Sequence, residues 1–198
     1  MKPLISVAEA LEKVLADAKP LPAESADLHD AAWRVLAEDV AALRTQPPFP
    51  AAAMDGYAVA DSDAQQGAEL VLIGESAAGR RFDGKLERGQ AVRIFTGAPV
   101  PDGAGTVIMQ EDVERLDGGR IRIAHEVTPG RHVRERGLDF AEGELLLKVG
   151  TLLDAAALPL AAAGGHAALP VHARPVIAIL ATGDELVSPG QPTGPDQI

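Results

Sequence analysis

Residues 117–123, DGGRIRI, decide the fold class: an Asp-Gly-Gly turn leads into a segment in which arginine and isoleucine alternate. Such alternation predicts a half-exposed β-strand, because successive side chains in a strand point to opposite faces of the sheet. Similar short apolar runs, separated by Gly, Pro and Asp, recur at residues 57–60, 70–73, 91–95, 106–109 and 145–147. Their spacing predicts a compact antiparallel domain, either barrel-like or sandwich-like.

Helical patterns precede these strands. Ser6 followed by Glu9 has the spacing of a capping box, and the apolar residues after it recur on one helical face as far as a stop at Pro20. A second short helix is predicted from Asp30, as its N-cap, to about Glu38. A loose turn is the alternative for this second segment.

The last fifty residues predict a helix and then a strand. Asp154 can cap a helix over residues 155–163, with Pro159 bending it and a glycine pair ending it. Residues 176–180, VIAIL, are apolar on both faces, which is typical of a buried parallel strand. Since an α/β sheet needs several such units, we expect only the start of one here, poorly packed unless it finds a partner.

The fold class predicted from these patterns is an α+β multidomain protein with three parts. Residues 1–45 together with 145–172 form a mixed α+β domain. Residues 46–144 form the β-rich, barrel-like domain. Residues 173–198 supply the first strand of an incomplete, truncated α/β domain.

Composition excludes several function classes. The chain has 198 residues, with 18 Lys and Arg against 29 Asp and Glu, a net charge of −11 and no cysteine. The lack of cysteine excludes disulfides, thiol nucleophiles and cysteine metal sites, and it fits a reducing compartment. The acidic balance argues against nucleic-acid and anionic-membrane surfaces, and residues 155–173 are too weakly apolar to span a bilayer. We therefore expect no nucleic-acid partner, no membrane contact and a cytoplasmic location.

Two loops of the β-rich part could carry chemistry. In residues 53–58, AMDGYA, a tight turn could present Asp55 to a cation or a polar ligand; the alternative is a plain turn before a strand. In residues 93–101, RIFTGAPVP, a strand ends at Thr96, whose hydroxyl could bind an oxyanion together with amides freed by Gly97. The alternative there is a loop stiffened by proline.

A cationic cluster lies in residues 131–139, RHVRERGLD. Arg134 and Arg136 share one face if the segment is a strand, and arginine binds phosphate and other oxyanions through two parallel hydrogen bonds. The alternative is a structural network in which Glu135 and Asp139 pair with the arginines.

Two adjacent acids follow the predicted parallel strand, in residues 182–185, TGDE. Carboxylates at the end of such a strand can hold Mg²⁺ with help from waters and substrate phosphates. The alternative is an N-cap and first turn of the next helix.

Five stretches in this order and spacing resemble the N-terminal half of the molybdopterin molybdenumtransferase family, which includes the C-terminal domain of gephyrin. They are AMDGYA at 53–58, IFTGAPVP at 94–101, VIMQE at 107–111, VRERGLD at 133–139 and ATGDEL at 181–186. The resemblance implies an enzyme that inserts molybdenum, supplied as molybdate, into adenylylated molybdopterin, with Mg²⁺ involved and AMP released. It also implies a homodimer of elongated subunits, in which the first domain serves as linker and dimerisation domain and residues 173–198 begin the molybdopterin-binding domain.

On this resemblance the site lies between the β-rich domain of one subunit and the α/β domain of the other. The catalytic residues would be Asp55, Thr96 and Glu185. The metal ligands would be Asp55, Asp184 and Glu185. The residues that bind the substrates would be Arg134, Arg136, Gly97, Asp139, Thr182 and Gly183. Molybdopterin adenylyltransferase and apo-molybdoenzymes or their chaperones would be further partners.

The sequence departs from the family pattern at three places, which bear on how an anion would be bound more than on whether the chain belongs to the family. Ala51-Ala52 stand where Asn-Ser is frequent, Glu135 dilutes the basic stretch, and Leu138 stands where an acid is frequent. Two other functions stay open: a non-catalytic dimerisation or scaffold module, and a β domain that binds an anion without chemistry. Because family members are longer, we expect this chain by itself to have no transferase activity.

Overall fold

A computed structural model describes residues 5–198; residues 1–4, where the predicted first domain begins, lie outside the described residues. The described residues contain the helices α1 (Val7–Leu15) and α2 (Ala157–Ala163). Their strands, in chain order, are β1 (Ala23–Asp27), β2 (Val40–Ala41), β3 (Ala51–Ala52), β4 (Gly56–Val59), β5 (Glu69–Ser76), β6 (Gln90–Ile94), β7 (Thr106–Met109), β8 (Val113–Leu116), β9 (Arg120–Ile123), β10 (Val133–Arg134), β11 (Leu145–Leu147) and β12 (Ala168–His172). Short 3₁₀ turns lie at Asp61–Asp63 and Gln110–Asp112.

The largest element is a six-stranded sheet with the strand order β7-β4-β6-β5-β9-β8. The sheet curls, since Arg115 on the edge strand β8 reaches across to β4, where its Nε donates a hydrogen bond of 3.1 Å to the hydroxyl of Tyr57. Neighbouring strands run antiparallel except for β5 and β6, which are parallel. The wholly antiparallel arrangement predicted from sequence is therefore wrong, because alternation of side chains fixes the faces of a strand but not the direction of its neighbours.

Strand β4 is buried on both faces, and its first residue, Gly56, follows directly on the turn that contains Asp55. Tyr57 and Val59 lie in one apolar cluster, and Ala58 lies in a second cluster on the other face. Gly56 has no room for a side chain, because a Cβ there would overlap the carbonyl oxygen of Ile108 on β7. Burial of this kind stabilises a strand by about 25 cal/mol for each Å² of apolar surface removed from water.

A separate apolar core forms where β1 pairs with β12 in antiparallel register. Its fully buried members come from two distant stretches of the chain: Ala31, Leu36, Val40, Leu153, Ala161, Leu169 and Val171. Arg34 lies almost buried beside this core and donates to the carboxylate of Glu24 over 2.5 Å and to the carbonyl of His172 over 2.6 Å. Those bonds satisfy a charge that would otherwise be costly to bury.

Helix α1 begins as predicted. The hydroxyl of Ser6 accepts the N–H of Glu9 over 3.2 Å, so this side of the capping box is confirmed. The apolar face of α1 is not covered by any described residue, and Val7 and Val14 are 87 % and 77 % exposed. No helix in residues 5–198 combines the length and apolar content needed to cross a membrane.

Helix α2 confirms the predicted cap but not the predicted bend. The carboxylate of Asp154 accepts the N–H groups of Ala156 and Ala157, both over 2.9 Å. Because the helix begins at Ala157 and not at 155, Pro159 falls in its first turn. The amides there have no helical acceptor, so a proline does not interrupt the hydrogen bonds of the helix.

The short helix predicted from Asp30 to about Glu38 is wrong, and the alternative of a turn is correct. The amides of Trp33 and Leu36 donate to the carbonyls of Leu153 and Thr151, both over 2.9 Å, instead of to a preceding helical turn. Trp33 has a φ of +62° and lies 71 % exposed, whereas Ala31 and Leu36 of this segment are fully buried.

The parallel strand predicted at 176–180 is absent from the described part of the chain. Its apolar side chains are exposed, with Val176 at 100 % and Ile179 at 91 %. The backbone hydrogen bonds of residues 174–198 connect only residues within that segment. A buried parallel strand needs neighbours on both edges and both faces, and no described strand pairs with this one.

Candidate functional site

The turn between β3 and β4 presents the carboxylate of Asp55 at the surface. Its Oδ1 accepts two hydrogen bonds from Thr96, one from the backbone N–H and one from the hydroxyl, each 2.8 Å long. These donors, with a smaller contribution from the charge of Arg93, lower the pKa of Asp55 below its ordinary value, while partial removal from water acts in the opposite direction. Asp55 is therefore a fixed carboxylate anion at neutral pH.

The Asp55–Thr96 pair is held by backbone bonds between β3 and the loop that follows β6. Gly97 donates to the carbonyl of Ala52 over 2.8 Å, and Ala52 donates to the carbonyl of Ala98 over 2.9 Å. Gly97 makes this approach with a φ of +81°, in the left-handed region that favours glycine. The loop thus places both donors of Thr96 on Asp55, and neither of them points to a separate oxyanion.

Arg93 braces the same turn from the other side and was not predicted from sequence. Its Nη1 donates to the carbonyl of Gly56 over 2.9 Å, and its Nη2 donates to Oε1 of Gln110 over 2.7 Å. The backbone N–H of Gln110 in turn donates to the carbonyl of Asp55 over 3.1 Å. One feature of the sequence could have indicated this role: Arg93 lies near the end of β6, just before the Thr96 loop, where a long cationic side chain can reach the neighbouring strand.

Strand β10 lies on the other edge of β3 and carries Arg134. The pairing sets Arg134 opposite Ala51, and the N–H of Ala53 donates to the carbonyl of His132 over 2.8 Å. Strand β3 therefore lies between the Thr96 loop and β10, which brings Asp55, Thr96, Gly97 and Arg134 to one region.

The arginines of β10 and the loop after it already have acceptors. Nη2 of Arg134 donates to both carboxylate oxygens of Asp139, over 2.7 and 2.8 Å. Arg136 donates to the carbonyl of Pro48 over 3.2 Å and lies 3.5 Å from the hydroxyl of Thr45. The pairing of Arg134 with Asp139 matches the structural alternative left open by the sequence, and both side chains keep about two fifths of their surface exposed to a ligand.

The second acidic motif is not part of this arrangement. Thr182, Gly183, Asp184 and Glu185 are exposed and lie in the segment without strand or helix. The N–H of Leu186 donates to the carbonyl of Gly183 over 3.2 Å, which makes a local turn in place of the helix N-cap considered from sequence.

The residues predicted to hold Mg²⁺ do not fit that ion within one described chain. Among residues 5–198 no group of three or more His, Asp or Glu side chains lies close enough to hold a metal ion. Asp55 is on the β3–β4 turn, whereas Asp184 and Glu185 are on the exposed segment. Mg²⁺ demands nearly octahedral oxygen geometry, which Asp55 alone does not supply in the described part of the chain.

Comparison with known proteins identifies the same part of the chain. Residues 5–165 match the family model of the MoeA N-terminal region, described as domains I and II. A molybdopterin molybdenumtransferase of Haemophilus influenzae is 39 % identical over 179 residues, which cover 90 % of this chain and 44 % of that protein. Molybdopterin molybdenumtransferase 2 of Mycobacterium tuberculosis is 42 % identical over 171 residues, covering 83 % of this chain and 42 % of that protein.

A solved structure shows the same fold. The molybdopterin biosynthesis MoeA protein of Pyrococcus horikoshii matches with a TM-score of 0.86 and 36 % identity, over 96 % of this chain and 52 % of that one. The chain therefore spans about half the length of the relatives it matches. The region around Asp55 and Thr96 lies within the matched 5–165, and the exposed acidic motif lies beyond it.

Proposed function

Since the chain belongs to the family of the MoeA N-terminal region, we propose that it forms the N-terminal part of a molybdopterin molybdenumtransferase. The reaction is insertion of molybdenum, from molybdate, into adenylylated molybdopterin, with AMP released and molybdenum cofactor formed. The observation that carries the proposal is the Asp55–Thr96 pair, a surface carboxylate fixed by two 2.8 Å hydrogen bonds on the family's AMDGYA and IFTGAP stretches.

In this proposal Asp55 acts as a fixed anion and Thr96 positions it. A carboxylate that accepts a backbone N–H and a hydroxyl keeps its charge and direction, while its other oxygen stays free for a cation or a donor of the substrate. Thr96 supports this role rather than oxyanion binding, because both of its donors are already used. Gly97 contributes by letting its backbone approach β3.

Arg134 and Arg136 would recruit the anionic groups of the substrates, and Asp139 would hold the Arg134 side chain in place through their ion pair. Molybdate and the phosphates of adenylylated molybdopterin are oxyanions, and arginine binds them with charge-assisted hydrogen bonds. Arg134 uses one of its nitrogens, Nη2, on Asp139, so its other nitrogens remain available. In a chain of net charge −11 such a local cation is needed to offset long-range repulsion of an anion.

A second subunit would supply Thr182, Gly183, Asp184 and Glu185, and with them the Mg²⁺ ligands expected from the family. Support for a homodimer comes from apolar surface that the described residues leave uncovered, on α1 and at Val176 and Ile179. The partners molybdopterin adenylyltransferase and apo-molybdoenzymes or their chaperones, and the cytoplasmic location, belong to the same proposal and rest on family membership.

The test is genetic complementation in bacteria that lack their own molybdopterin molybdenumtransferase, with the activity of a molybdenum enzyme as readout. The chain is expressed alone and fused to the C-terminal part of the Haemophilus influenzae relative. We expect the fusion to restore activity and the chain alone to fail. Asp55→Asn in the fusion should abolish activity, while Asp154→Asn, which changes another surface carboxylate of lowered pKa, should not. Full activity of Asp55→Asn would contradict the proposal.

A further inference from the structure

The curl of the six-stranded sheet leaves a groove between β8–β9 on one side and β4–β6 on the other. Its volume is about 650 Å³, within the range of pockets that hold small molecules. Tyr57 and Ile121 are buried in its floor, and the half-exposed Leu72 and Leu116 contribute apolar walls. No residue of β3 or β10, the strand that carries Arg134, lines this groove.

Two arginines in this groove have no carboxylate partner. Of the other charged groups that line it, Glu75 pairs with Arg80 over 2.6 Å and Arg120 pairs with Glu69 over 3.0 Å. Among residues 5–198, neither Arg93 nor Arg115 has an Asp or Glu oxygen within 4.0 Å. The groove therefore carries two guanidinium groups that form no ion pair, in a chain whose net charge is −11.

Tyr57 joins these two arginines into one site. The guanidinium of Arg93 lies 5.1 Å from the centre of the Tyr57 ring and 4.7 Å from that of Phe95, and two hydrogen bonds fix its direction. Nε of Arg115 donates to the hydroxyl of the same tyrosine. The terminal nitrogens of Arg115 keep donors for a ligand, since a guanidinium has five N–H groups.

We propose that this groove binds a small oxyanion that carries a flat aromatic ring, such as an aryl phosphate or an aryl carboxylate. The oxyanion contacts Arg115, with Arg93 adding charge, and the ring packs on Leu72 and Leu116. Apolar walls by themselves would bind a neutral ring, and arginines by themselves would bind any phosphate. Because the groove has both, it favours molecules that carry a ring and an oxyanion together. The groove shares Arg93 with the Asp55 turn, since Arg93 also donates to the carbonyl of Gly56, but Asp55 and Thr96 do not line it and the proposal does not depend on the proposed function.

The test is a titration of the 198-residue chain with phenyl phosphate, followed by ¹H–¹⁵N NMR. We expect shifts at the amides of Gly74 and Gly119, which line the groove, and weaker binding of both phenol and inorganic phosphate. Arg115→Gln should weaken binding about tenfold or more, the loss expected for a charged hydrogen bond. The matched control is Arg122→Gln on β9, since Arg122 pairs with Glu69 and Glu114 and does not line the groove.

The outcomes separate clearly. Unchanged affinity in Arg115→Gln, with an amide spectrum that shows the folded protein, overturns the proposal, as does the absence of groove shifts at millimolar phenyl phosphate. Equal affinity for inorganic phosphate and phenyl phosphate overturns the role of the apolar walls. Equal losses in Arg115→Gln and Arg122→Gln overturn the assignment to this groove, because they indicate attraction by overall charge only.

Discussion

The Asp55 turn and the segment 174–198 both carry acidic motifs beside glycine, but the structure treats them differently. In the first, β3 is held by the Thr96 loop on one side and β10 on the other, and Asp55 has two donors on one oxygen. In the second, Asp184 and Glu185 are exposed, and the backbone bonds of the segment stay within it. The Asp55 motif is therefore held between paired strands and loops, whereas the Asp184–Glu185 motif has no neighbouring strand in the described part of the chain.

The difference teaches that an exposed carboxylate keeps a fixed direction where the backbone that carries it is paired with its neighbours. Strand β3 has only two residues, yet it orders the loop and the turn around it because both of its edges are bonded. The segment 174–198 contains a longer apolar run, yet no described residue covers it. Three substitutions and one deletion test this comparison, and they follow from the largest expected effect to the smallest.

Gly56→Ala should have the largest effect. A Cβ at this position overlaps the carbonyl of Ile108, so β4 and β7 must separate. We expect a loss of about 3 kcal/mol or more in the free energy of unfolding, measured by urea denaturation. The matched variant is Gly194→Ala, where a Cβ meets only the flexible side chain of Gln197; it should leave the free energy of unfolding unchanged, and equal losses in the two variants would contradict the comparison.

Thr96→Val should raise the pKa of Asp55 part of the way towards its ordinary value of 3.8. The hydroxyl donor is lost, while the backbone N–H, which has the larger influence, remains. Since the folded-state pKa is lowered, Asp55 stabilises the fold above the ordinary carboxyl pKa, and that stabilisation disappears as the pH falls through the lowered value. In the variant it should disappear at a higher pH.

The measurement is an NMR titration of the side-chain carboxyl groups. Asp154 is an internal control, because the N–H groups of Ala157 and Ala156 lower its pKa without any part of Thr96. Its titration should be the same in both proteins. An unchanged pKa of Asp55 in Thr96→Val would show that the hydroxyl bond is not made in solution.

Local patterns predicted much of this fold. Alternation at 120–123 and apolar runs elsewhere predicted β4, β5, β6, β7, β9 and β11, and the caps at Ser6 and Asp154 are confirmed. Strand β1 was missed because only one of its five residues, Ala26, is buried. Its sequence, AESAD, therefore has no alternation of apolar and polar residues to indicate a strand. The parallel pairing of β5 with β6 was missed because it depends on long-range packing.

In the site too, local features were predicted from sequence and long-range contacts were not. The turn at Asp55 and the strand end at Thr96 were each predicted from their own residues, but local sequence did not show that they bond across 41 positions. The resemblance to a family predicted one cleft for them, and the geometry shows both donors of Thr96 on Asp55, from which we propose that Thr96 positions this carboxylate. Arg93 was missed because nothing local shows which carbonyl a long side chain will reach.

Arg134→Gln should change stability only slightly, by less than about 1 kcal/mol in urea denaturation. Its ion pair with Asp139 is exposed for about two fifths of each side chain, and the β3–β10 pairing is made by backbone bonds that remain. The paired variant Asp139→Asn, combined in a double-mutant cycle, measures the coupling directly. A coupling of several kcal/mol would mean that this edge is held by its side chains and not by its backbone.

Deletion of residues 174–198 should have the smallest effect, a change in unfolding free energy within about 0.5 kcal/mol. The segment contributes no backbone bond to the rest of the described chain, and its apolar side chains already contact water. Hydrogen exchange sharpens the test, since the amides of 176–180 should exchange rapidly in this chain while those of β4 are protected. In a fusion to the C-terminal part of a relative, the 176–180 amides should become protected, because a paired strand would then exist. Protection in this chain alone would mean that the segment already has a partner surface, and the contrast between the two acidic motifs would be lost.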